Sequence, residues 1–112
     1  MTKAGDIARL EDLAQLVLDH RLVRLRSTAA RLEQSQLQLL AINDAAPAAD
    51  LEPIVSSRVG LGYERWADIR RAELNLVIAR QTADWLDACA EAQTAFGRVQ
   101  ALQSLTGRAR SR

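Results

Sequence analysis

The sequence predicts an all-α protein: an antiparallel two-helix coiled-coil hairpin with a short helical or irregular cap at its turn. Three observations carry that prediction. Between Leu74 and Thr106, apolar or small residues recur at Leu74, Ile78, Gln81, Trp85, Ala88, Ala92, Ala95, Val99 and Leu102. Their spacings alternate four and three, which is the a/d seam of a coiled coil. Asp6 to Ala46 is free of glycine and proline and carries an apolar stripe of its own. Both prolines and two of the five glycines fall between, in Pro47 to Gly62. Composition agrees: 48% of residues are hydrophobic but only 4% are aromatic, and Leu and Ala supply most of the apolar content. That bias favours helix over a β core.

The first helix is expected over about residues 6–44, with Asp6 as its N-cap and Glu11 and Asp12 placing acid where the helix dipole favours it. Its seam reads Ile7, Leu10, Ala14, Leu18, Leu22, Leu25, Ala29, Leu32, Gln36 and Leu39. The spacing includes an extra step of four near Leu18, a stutter that locally unwinds a left-handed supercoil. Asn43-Asp44 precede Ala45-Ala46-Pro47, and the residue before a proline is biased away from helical geometry. Residues 45–62 form the connection. Within it, Asp50-Leu51-Glu52-Pro53 reads as a capped start of one or two helical turns, and Gly60 and Gly62 allow the chain to reverse. The second helix is expected from about residue 63 to 106, with Gly107 as terminator and a disordered basic tail over 107–112.

A 33-residue helix with an apolar seam, roughly 48 Å long at about 1.5 Å per residue, needs a partner, and the first helix is the partner at hand. A turn centred near Pro53 places Leu32 by Leu74, Ala29 by Ile78, Leu22 by Trp85, Leu18 by Ala88 and Ala14 by Ala92. The alanine run then lets the backbones approach closely. A second stripe lies away from the seam. Leu16, Val23, Ala30 and Leu37 repeat every seven residues on helix 1, as do Ile69, Leu76, Ala83 and Ala90 on helix 2. Leu51, Ile54, Val55 and Leu61 are expected to fold back over the turn end and cover Leu37, Leu40, Ile42, Ile69 and Leu76. Leu16 and Val23 lie beyond that reach and are the candidate surface for a protein partner.

Chemistry-bearing patterns are sparse. There is no Gly-rich phosphate loop, no Cys/His cluster and no nucleophile set, so no catalytic, metal or cofactor residue is assigned. His20 reads as a surface residue and Cys89, the one cysteine, as a small apolar packer. Fifteen basic and fourteen acidic side chains give a net charge of +1, which does not ask for nucleic acid. Arg21, Arg24, Arg26 and Arg31 cluster, with Asp19, Glu33, Asp84 and Asp87 expected close by as ion-pair partners. Arg21 and Arg24, beside the outward stripe, join Leu16 and Val23 as candidate protein-binding residues. Met1 to Asp12 lacks the apolar core of a signal peptide, and no apolar run approaches a membrane span, so a cytoplasmic protein without membrane insertion is expected.

The Leu-rich first helix from Ile7, Tyr63-Glu64-Arg65-Trp66 at the start of the second, Trp85, and the closing Phe96-Gly97-Arg98-Val99-Gln100-Ala101-Leu102 resemble the FliJ/YscO family. Those are small coiled-coil proteins of flagellar and virulence type III export systems. The resemblance implies a non-enzymatic stalk or chaperone that inserts its paired terminal ends into the hexameric export ATPase and contacts the export gate. A second resemblance, of Leu10 to Leu25 with Arg21 and Arg24 to the first helix of chorismate mutases, fails on the second helix. That active site gathers Arg and Lys from several helices, whereas this chain has Lys3 alone and no matching acidic/basic motif. The competing class is a generic oligomerising or adaptor coiled coil, in which the second stripe forms a homodimer or four-helix bundle.

Overall fold

The computed structural model describes residues 3–45 and 53–111, with the side chains of Val55 and Ser56 left aside. Two helices account for nearly all of them: α1, Lys3–Asp44, and α2, Pro53–Ser111. They pack against each other as the expected helical hairpin. The pairing is antiparallel: Glu11 meets Thr106, and further along α1 Arg24 meets Glu91.

The ends of the helices differ from expectation in three places. Asp6 is not a cap. The helix begins at Lys3, and Asp6 lies in its first turn, where a carboxylate still favours the dipole. The separate cap over 53–62 does not form. Pro53 opens α2 itself, its ring preset for the first helical position, and the helix runs on through Gly60 and Gly62 without a positive φ. Reversal at those glycines is therefore absent, and Ile54 and Leu61 stand exposed instead of folding over the turn end. Leu37, Leu40, Ile69 and Leu76 are left uncovered, while Ile42 is buried by α2 rather than by a cap. Asp50 and Leu51 lie outside the described residues. At the other end α2 passes Gly107 and continues to Ser111, so residues 107–111 of the tail are helical, with Arg108 and Arg110 in the last turn where cations are favoured.

The seam of α2 is the one read from the sequence. Leu74, Ala88, Ala92, Ala95 and Val99 are buried, and Ile78, Gln81, Trp85 and Leu102 are half-buried. The seam of α1 is so only in part: Ile7, Ala14, Leu18, Leu22, Leu25, Ala29, Leu32 and Leu39 are buried or half-buried as expected. The line of covered positions, flanked by the half-buried Val17, Leu22, Arg24 and Ala29, is Ile7, Glu11, Ala14, Leu18, Arg21, Leu25, Thr28, Leu32, Ser35, Leu39 and Ile42. These alternate four and three without a break, so there is no stutter. The expected seam swerved to collect Leu10 and Gln36, and both are exposed. The helix keeps strict heptads by accepting polar residues, with Thr28 and Ser35 both buried. Thr28 can afford this because its hydroxyl donates to the Leu25 carbonyl 3.0 Å away in its own helix.

The chain divides into two compact units. One holds residues 30–83 and the other joins 1–29 to 84–112. In the 30–83 unit, Ile42, Ala67 and Leu74 form a buried cluster with Leu39, Tyr63 and Ile78 packed on it. Here α2 secures the end of α1. The last carbonyls of a helix have no partner within it, and Tyr63 Oη donates to the Ile42 carbonyl at 2.8 Å. Arg71 Nε donates to Asn43 Oδ1 at 2.8 Å. The last turn of α1 has no basic residue of its own, so Arg71 supplies the favourable charge there. Arg71 also pairs with Asp68 and Glu64.

Candidate functional site

The other unit, where the two termini lie, carries the residues singled out from the sequence. Its core is Leu18, Ala95 and Val99, with Ala14, Val17 and Leu22 packed against it. Leu18 thus meets Ala95 and not Ala88. The register is displaced by one heptad from the expected one, so each heptad of α1 meets the next heptad along α2.

Leu16 and Val23 sit on the face of α1 turned away from α2, 66% and 61% exposed. Both are as uncovered as the sequence suggested. Arg21 and Arg24 are not free in the same way. Each is half-buried beside the seam, and both guanidinium groups reach Glu91, with Arg24 the closer and Arg21 at 3.5 Å. Their cross-helix partner is therefore Glu91, further along α2 than the expected Asp84 and Asp87. The two pairs flank the seam and hold α1 to α2, so charge reversal at either position would disturb the hairpin as well as any partner. Glu11 occupies a seam position because α2 meets it with a hydroxyl. Thr106 Oγ1 lies 3.0 Å from Glu11 Oε2 and 2.9 Å from its own helix's Leu102 carbonyl, and donates to one at a time.

Sequence reasoning missed a groove in this unit. Leu10, Leu13, Ala14 and Val17 form one wall, and Ala95, Arg98, Ala101 and Leu102 the other, around about 380 Å³. Leu10 and Leu13 are more than half exposed. The groove continues along the same side past Val17 and Ala95 to Arg21, Ala90, Glu91 and Thr94. A signal for it was present. Placing Glu11 rather than Leu10 in the seam releases Leu10 to join Leu13 on the surface, next to Leu16.

No family model, curated protein or solved structure matches the chain. Among the described residues, no group of three or more His, Cys, Asp or Glu side chains could hold a metal ion, and no helix is long and apolar enough to cross a membrane. His20 is exposed and Cys89 is a half-buried free thiol.

Proposed function

We propose that this hairpin is a non-enzymatic protein-interaction module whose terminal half binds the ATPase of a type III export system, with the export gate as a second partner. The observation that supports the reading is the apolar surface left uncovered in that half, where Leu16 and Val23 face outward and Leu10 and Leu13 line an open groove. An outward apolar face of this kind costs solubility unless something covers it. The resemblance to FliJ/YscO stalk proteins supplies the identity of the partner. The role needs no cofactor, because the helices present surface and carry out no bond chemistry.

Calorimetric titration of the purified export ATPase with the wild-type chain and with Leu16→Ser/Val23→Ser tests the reading. Weakened binding of the variant at an unchanged melting temperature is the expected result, since these side chains lie off the seam and their desolvation belongs to the contact. No binding by the wild-type chain would end the ATPase assignment.

A homodimer or four-helix bundle is the second reading. It is favoured by the exposure of Ile69 and Leu76 on the back of α2, which a contact limited to the terminal half leaves uncovered. Sedimentation at micromolar concentration separates the two, a monomer favouring the stalk and a tight dimer the bundle.

A further inference from the structure

We propose that the groove between Leu10, Leu13 and Val17 on α1 and Ala101 and Leu102 on α2 receives a helix from a different protein, and that this helix presents a carboxylate to Arg98. The inference rests on the reading of the hairpin as a protein-binding module and names the chemistry of what it binds.

The groove selects both shape and charge. Its volume is at the low end of the roughly 300–1,000 Å³ of small-ligand pockets, so it takes a few side chains from one face of a helix rather than a buried element. Its lining sets the small side chains of Ala14, Ala95 and Ala101 among leucines, the form of groove in which an amphipathic helix seats side chains at i, i+3, i+4 and i+7. With its continuation to Arg21, the groove follows α1 over the twelve residues from Leu10, about 16 Å, or three turns of an incoming helix.

Charge decides the occupant. Arg98 is the only charged residue among the eight that line the apolar part. Arg21, the other cation of the lining, is already committed to Glu91 together with Arg24. Among the described residues, Arg98 has no hydrogen-bond or ion-pair partner, so a carboxylate entering the groove meets a guanidinium with its donors unused. A second copy of this chain fits less well. In a two-fold interface the same lining meets itself, and its one carboxylate, Glu91, is already paired with Arg21 and Arg24, so a copy of this groove offers Arg98 no free acid. An acidic amphipathic helix from another chain satisfies both demands.

The test uses the full-length chain and a pair of dye-labelled, capped 14-residue helical peptides. Each carries leucines at i, i+3 and i+7 on an Ala/Gln background, one with Glu at i+4 and the other with Gln there. Fluorescence polarisation is read against protein concentration. Wild-type protein should bind the Glu peptide about tenfold more tightly than the Gln peptide, as expected for a partly desolvated charge pair. Arg98→Gln should abolish that ratio, and Leu13→Ser should weaken both peptides alike without lowering the melting temperature. An equal affinity for the two peptides, a preference that survives Arg98→Gln, no binding at all, or a wild-type chain that sediments as a dimer with the groove closed to both peptides would each overturn the proposal. Because no ATPase is present, the two readings fail separately. Glu-selective peptide binding with a silent ATPase titration removes the ATPase and leaves the groove. ATPase binding that ignores Arg98→Gln does the reverse.

Discussion

Single residues show how this hairpin tolerates polarity on its seam. Gln81 occupies a seam position and its Oε1 is buried without a hydrogen-bond partner. An unpaired buried amide oxygen costs about 1–3 kcal/mol, so Gln81→Leu should raise stability by about 1–2 kcal/mol in urea unfolding. A loss on that substitution would show that the amide is satisfied in solution. Thr28 differs from Gln81 because its hydroxyl is already bonded within α1. Trp85 was legible as a seam residue from its spacing alone, and Trp66 lies off the seam at 53% exposure. Trp85 is nonetheless only half-buried. Trp85→Ala should therefore cost about 1–3 kcal/mol, less than the 3–5 kcal/mol of a fully covered aromatic. A thermal or urea midpoint that does not move would place the indole in solvent.

At the scale of the elements, what could be read from the sequence follows from which signal marks each boundary. The end of α1 was legible because Asn43-Asp44 and the proline beyond mark it, and the backbone closes there with Ala45 N–H donating to the Ala41 carbonyl. The beginning and end of α2 were not, because glycine was read as a stop where the helix runs through it. Propensity penalises Gly by about 1 kcal/mol relative to Ala, a modest cost against the roughly 3 kcal/mol by which Pro penalises a helix interior. Gly97 shows the same point from within α2. It is exposed, helical, and has nothing within 4 Å of where a Cβ would stand. Gly97→Ala should add about 1 kcal/mol, read from the denaturation midpoint at constant m-value. The α1 seam was misread for the opposite reason. Hydrophobicity was preferred over periodicity at Leu10, which displaced Glu11, and Gln36 was taken for Ser35, whereas Leu22 and Ala29 are half-buried as expected and Leu22 packs on the core. That preference also concealed the groove, since Leu10 was spent on the core. Leu16 and Val23 were found because they repeat every seven residues at positions that the seam through Ala14, Leu18 and Leu25 skips.

At the scale of the whole molecule, a heptad pattern fixes which faces meet but not which heptad meets which. Sliding α2 by seven residues preserves every apolar contact class. It even preserves the sign of the charge met by Arg24, since Asp84 would replace Glu91. Three details break the degeneracy. In the displaced alternative Glu11 would face Val99 instead of the Thr106 hydroxyl, leaving a half-buried carboxylate against a methyl surface. Glu64 would take the place of Arg71 beside the carbonyl end of α1, the wrong sign for that end of the dipole. The Ile42 carbonyl would lose Tyr63. None of these can be seen from an apolar stripe, which is why the register had to come from the structure. A crosslinking experiment distinguishes the two arrangements. In a Cys89→Ser background, Leu18→Cys with Ala95→Cys should close a disulfide under mild oxidation, because both residues belong to one buried cluster. Leu18→Cys with Ala88→Cys should stay reduced, since Ala88 lies about 10 Å further along α2 and a disulfide needs Cα atoms within about 7 Å. Non-reducing electrophoresis and intact mass read the outcome, and preferential closure of the 18/88 pair would restore the register inferred from the sequence alone.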